Sequence, residues 1–191
     1  MTNYQKRYEG ISKAAWGYLF IYLDVNINSV SLLPAFIGYL FFLSTINYLK
    51  DEERELSLLR TLGIILALWH GAEWVASWGG IDLEGTWQFI DIIISLVNLY
   101  FHFQLLTNLA SIATKHQPEG YKQDAELLWY RTLQTIMLTA IAIITHLRPW
   151  LSEAWTYISV VILIVYIIAG ICLMKTLFDL RRCLPVNEGP I

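Results

Sequence analysis

The sequence predicts an all-α polytopic membrane protein: one domain spanning residues 1–191, built as a bundle of six transmembrane helices with both termini in the cytoplasm. Three observations predict it. Of the 191 residues, 56% are hydrophobic and only 15% charged, with a mean hydropathy of +0.48, a balance too apolar for a soluble domain of this length. Six apolar runs, at residues 11–23, 34–49, 56–78, 87–110, 127–147 and 154–177, approach or reach the roughly 20 residues that cross a hydrocarbon core. Six crossings also sort the basic residues. Lys6, Arg7, Lys13, Lys50, Arg54, Arg60, Lys115, Lys122, Arg131, Lys175, Arg181 and Arg182 fall on one side and Arg148 alone on the other, and the basic side of a membrane protein is cytoplasmic.

The first run is short. Thirteen residues reach only about 20 Å, so the helix must extend back through Gly10 and Tyr8, or the 24–33 connection must dip into the membrane. Residues 1–10 have no apolar stretch followed by a small-residue cleavage site, and predict no cleaved signal peptide. In the connection, Asp24-Val25-Asn26-Ile27-Asn28-Ser29 opens like a calcium loop. Ser29 replaces the necessary glycine and Ala35 the bidentate acid, so a tight return held by Asp and Asn side chains is expected instead. Pro34 then begins the second helix.

Lys50-Asp51-Glu52-Glu53-Arg54-Glu55 reads as a solvated connector whose acids favour the start of the third helix. Residues 79–86 and 148–153 are expected outside, 114–126 inside, and 184–191 as a frayed tail. Trp78, Trp87, Trp150 and Trp155 fall at the outer interface as anchors. Cys172 and Cys183 lie eleven apart on one helix, about 16 Å, too far to pair. No internal repeat or low-complexity stretch occurs, and with a net charge of −3 and segregated basic residues no nucleic-acid footprint is present.

Residues 10–24, followed by Leu32-Leu33-Pro34-Ala35-Phe36-Ile37-Gly38-Tyr39-Leu40, resemble small uncharacterised bacterial membrane proteins that share an N-terminal hairpin of the type I-L-P-x-F-I-G-Y. The resemblance covers the first forty residues, implies a bacterial inner membrane, and carries no activity. Where that pattern has an acid after the proline, this chain has Ala35. The size and six-span plan also look like the substrate-binding subunits of vitamin importers, whose A-x-x-x-A packing motif is absent from residues 11–23.

The strongest pointer to a site is Trp69-His70-Gly71-Ala72-Glu73-Trp74, which ends with Trp78 before Gly79-Gly80. His70 and Glu73 are neighbours on one face of the third helix, in its outer half, where ionisable groups are costly unless they meet partners or a wet cavity. An acid beside an imidazole can orient the ring, share a metal or relay a proton. On the fourth run, Gln88, Asp91, Ser95, Asn98 and His102 recur at spacings of three and four and form one polar stripe. For Ser95 and Asn98, hydrogen bonding between helices is the simpler reading, and His102 lies deeper as a core histidine. On the fifth, Thr135, Thr139, Ala142 and His146 repeat in the same way, and His146 reads either as an interfacial histidine or as a ligand.

Three functions stay open. In the first, His70, Glu73, Asp91, Asn98 and Asp24, walled by Trp69, Trp74, Trp78 and Tyr22, form an outward-facing pocket that binds or transports a small organic solute, a cation being the best match to acid plus indole. In the second, the chain is an intramembrane hydrolase. Zinc is held by His70, Asp91 and His146, with Glu73 activating its water or joining the ligand set; a variant has haem between His70 and His146. In the third it is a non-catalytic sensor or accessory subunit with a protein partner or an oligomeric assembly, and its polar stripes only hold helices together.

Overall fold

Among the described residues six helices carry the chain, each running opposite to the one before. In a computed structural model they are α1 (Asn3–Tyr22), α2 (Ala35–Leu49), α3 (Leu56–Trp78), α4 (Gln88–His116), α5 (Gln123–Leu147) and α6 (Ala154–Cys183). The structure describes residues 3–22, 26–27, 30–31, 34–80, 87–147 and 154–184, without the side chains of 26–27, 30–31, Gln88, His146, Leu147, Ala154 and Thr156. Between α1 and α2, Asn26 pairs with Ser31 and Ile27 with Val30 in a minimal antiparallel return.

The helices outrun their apolar stretches at the basic end. There α1 begins at Asn3, α4 continues to His116 and α6 to Cys183. Hydropathy marks what must avoid water, whereas a helix persists as long as its backbone bonds are made, so apolar runs underestimate helix length.

Among the described residues three helical segments, Phe89–His116, Gln123–Thr145 and Tyr157–Cys183, are long and apolar enough to cross a membrane, which corrects the expectation of six such helices. The reasons differ. The 15 residues of α2 rise only about 22 Å. In α1 the charges of Lys6, Arg7 and Glu9 occupy the first half and Lys13 stands just past its middle. In α3, Arg60, His70 and Glu73 lower the hydropathy of an otherwise sufficient 23 residues.

Helix α1 packs on α2 and α6, and the rest pack in chain order, so the six close into a ring. The α1–α2 crossing is set by Gly17 and Gly38. A Cβ on Gly38 would stand 2.8 Å from the Gly17 carbonyl oxygen, and one on Gly17 would stand 2.5 Å from the Phe42 ring. Only residues without a side chain admit so close an approach of two backbones. The core runs through Ile11, Tyr18, Phe42, Leu49, Leu66, Phe101, Leu105 and Leu177. Outward-facing large apolar side chains lie chiefly on α3 to α6, among them Leu68, Leu96, Ile136 and Val161. So much exposed apolar surface is unusual for a protein bathed in water.

At the basic end the 50–55 connector is exposed at Lys50, Asp51, Arg54 and Glu55, as expected, and its acids also act as a clamp. Lys6 Nζ reaches Asp51 Oδ2 at 3.1 Å, Arg7 Nη1 reaches Glu52 Oε1 at 3.1 Å, and His116 Nε2 meets Glu52 Oε2 at 3.0 Å. Glu53 accepts from Lys115 Nζ at 2.7 Å and from the Ser111 hydroxyl, and Glu55 accepts from Gln104 Nε2 at 2.7 Å. The connector acids thus tie α1 and the end of α4 to the α2–α3 turn. Arg181 of α6 donates to Ser12 Oγ at 3.0 Å and lies over the Tyr8 ring, so the last helix returns to the same end.

Candidate functional site

Helix geometry alone brings His70 and Glu73 together, and Nδ1 of the ring lies 2.7 Å from Glu73 Oε2. Both side chains are about one-fifth exposed, 23% and 19%. With the carboxylate at Nδ1, a neutral ring carries its proton there and leaves Nε2 as an acceptor; that atom is buried with no hydrogen-bond partner among the described residues.

Tertiary packing adds the next group, Tyr39. Its ring lies parallel to the His70 imidazole with centroids 5.1 Å apart, and its hydroxyl donates to Asn98 Oδ1 at 2.7 Å. Tyr39 therefore links α2, α3 and α4. It also touches Phe42 and Phe101 edge-on, and lies 6.0 Å from the His102 ring. His102, itself buried, places Nδ1 3.4 Å from the Tyr18 hydroxyl. Tyr18 stacks on Tyr22, which packs on Tyr166 of α6 with centroids 4.6 Å apart. Gly170 makes room for the Tyr22 ring, since a Cβ there would overlap it.

Toward the other end of α3, Trp74 packs between Phe36, at 5.6 Å, and Trp78, at 5.5 Å, and Trp78 is 65% exposed. Trp69 packs against the core with its Nε1 buried and unpartnered among the described residues. The site is thus a ladder of rings between two polar ends, Glu73–His70 on one side and His102–Tyr18 on the other.

The structure brings His70, Glu73 and Asn98 into one cluster and divides the other predicted residues. The polar stripe of α4 splits. Asn98 and His102 face the bundle, whereas Ser95 lines a cleft between α4 and α5, and Asp91 sits in the first turn. Ser95 and Asn98, three residues apart, point about 60° apart around the helix, so the stripe is broad enough to meet both the bundle and the α4–α5 cleft. Asp24 and the His146 side chain lie outside the described residues. Among the described residues no group of three or more His, Cys, Asp and Glu could hold a metal ion, so the ligand set expected from His70, Glu73 and Asp91 is not assembled there.

Tyr18, Tyr39 and Tyr166 are absent from the sequence-based expectation, Tyr22 enters it only as a pocket wall, and His102 is set apart there by depth. A usable signal existed. A tyrosine in the middle of an apolar helix carries a hydroxyl that must find a partner, and four such residues call for polar groups on facing helices. Comparison with protein-family models, curated proteins and solved structures finds no match to this chain.

Proposed function

We propose that the chain is an integral membrane protein that crosses the bilayer six times with both termini cytoplasmic, and that it binds a small organic cation at the outer end of α2 and α3. The observation that carries this is the Glu73 carboxylate, about one-fifth exposed and braced by His70, on the same stretch of α3 as the rings of Trp74 and Trp78, with Phe36 against Trp74. A carboxylate held short of full burial keeps its charge accessible, and aromatic faces attract a cation by about 0.5–2 kcal/mol each. Helix α1 crosses with Lys6 and Arg7 paired at the cytoplasmic end. Transport would follow from binding if the site opens to both sides.

The test is titration of the purified full chain in detergent with tetramethylammonium and tetraethylammonium, read by tryptophan fluorescence. Saturable quenching is expected in the parent, weakened about tenfold or more by Glu73→Gln and by several-fold in Trp74→Ala. No saturable response, or equal response in Glu73→Gln, overturns the reading.

The Tyr39–Asn98 hydrogen bond favours a second reading, a non-catalytic subunit in which polar groups only fix helix packing. It predicts that Glu73→Gln alters stability or partner capture and no ligand response.

A further inference from the structure

Arg131 of α5 is a cation for which the described residues hold no carboxylate. Its Nη1 donates to Thr107 Oγ1 at 3.2 Å, its guanidinium lies 4.5 Å from the centre of the Phe103 ring, and its Nε is buried without a hydrogen-bond partner. The side chain is half-buried at the α4–α5 seam. Thr107 and Phe103, its partners among the described residues, are both neutral, so among these residues the positive charge remains to be balanced.

Its depth points to what balances it. Trp129, two residues earlier on the same helix, is 60% exposed, as an indole at a membrane interface would be. Arg131 therefore stands near headgroup level at the basic end of the bundle. The seam above it is open. Residues 131, 135, 138 and 142 form one stripe of α5, as do 107, 103, 99 and 95 of α4. Between them is an outward-facing cleft of about 390 Å³ lined by Ser95, Leu99, Leu138, Thr139, Ala142 and Ile143. Its near end begins about 10 Å from Arg131 along the helix. At about 30 Å³ per water-sized group, the cleft takes about a dozen methylenes.

We infer that the α4–α5 seam is a binding site for one anionic phospholipid of the leaflet at the basic end, its phosphate on Arg131 and an acyl chain lying along the seam into the cleft. A planar guanidinium suits phosphate oxygens, and the cleft offers an acyl chain apolar walls from both helices. A helix from a second copy would fill the cleft and leave Arg131 unbalanced. The inference rests on the membrane reading above.

The test uses the full chain in vesicles of phosphatidylcholine with a minor fraction of phosphatidylglycerol. Flotation first establishes insertion, and native mass spectrometry then counts retained lipids. One phosphatidylglycerol per chain, retained in preference to phosphatidylcholine, is expected. Arg131→Gln should reduce that preference about tenfold, the effect of losing a charged hydrogen-bond pair. Ala142→Leu, which fills the cleft, should lower retention while keeping the preference. If Arg131→Gln does not fold, Arg131→Lys serves: it keeps the charge without the fork, so a weakened preference is expected and an unchanged one counts against the site. A chain that does not float overturns the membrane reading and this one with it. A chain that floats but retains both lipids equally, or keeps its preference in Arg131→Gln, overturns this one alone.

Discussion

The imidazole of His70 and the phenol ring of Tyr39 lie parallel within 4°, their centroids 5.1 Å apart, joining α3 to α2 one side chain away from the Asn98 amide of α4. Three helices thus meet at one ring. Tyr39→Phe keeps the stack and loses only the hydroxyl bond, a cost of about 0.6–1 kcal/mol. Tyr39→Ala removes the ring from a fully packed position and should cost about 3–5 kcal/mol. Unfolding titrations in detergent measure both, and equal effects would show that the ring is not the junction.

Gly38 should tolerate no side chain. Alanine there places a methyl 2.8 Å from the Gly17 carbonyl, a backbone atom that cannot swing aside, so α1 and α2 must separate at a cost of about 1–3 kcal/mol. Gly71→Ala is the matched control. Its methyl would find only Phe36 at 3.9 Å, and the gain in helix propensity should leave stability unchanged or raised by about 0.5–1 kcal/mol. Thermal midpoints of the two variants should therefore move in different directions.

The two ion pairs of α1 should differ in strength although both close at 3.1 Å. Lys6 and Asp51 are exposed, and Lys6→Gln is expected to cost less than about 1 kcal/mol. Arg7 is 2% exposed, and Arg7→Gln strands Glu52 beside His116, at a cost of about 3–5 kcal/mol. Added salt should weaken the first pair and leave the second, which the same unfolding titrations resolve.

Stability should fall on acidification through Glu53. Burial alone would push its carboxyl up, but hydrogen bonds from Lys115 and Ser111, with the Lys115 charge, outweigh it and hold the group below the ordinary 4.5. The unfolded chain therefore binds more protons in that window, and stability rises with pH there. The contribution is complete above about pH 4.5 and is lost as pH falls through the lower folded value. Glu53→Gln should be less stable at neutral pH and show a flatter midpoint as pH falls below about 5.

Much of the ladder was legible piecemeal. His70 and Glu73 are three residues apart on one helix, so their contact follows from helix geometry. Asn98 was visible as a polar group in an apolar run, but not its partner. In the sequence Tyr39 is one more aromatic in a hydrophobic hairpin, and depth along separate helices separates His102 from His70, since nothing local marks Tyr39 and Tyr18 as the bridge. The acids of 50–55 looked solvated because nothing in their own stretch names Lys6, Arg7 or Lys115 as partners.

The sequence by itself determined the all-α class, six helices, and the bounds of α3 to the residue, since hydropathy, helix period and Gly-Gly or charged breaks are local properties of a chain. It also determined which end is basic. Only the tertiary structure decided that α1 closes the ring against α6, that Gly17 faces Gly38, that the α4 stripe divides between bundle and cleft, and that tyrosines connect the two imidazoles. These are agreements between side chains far apart in sequence, fixed by how helices pack, and no single segment carries them.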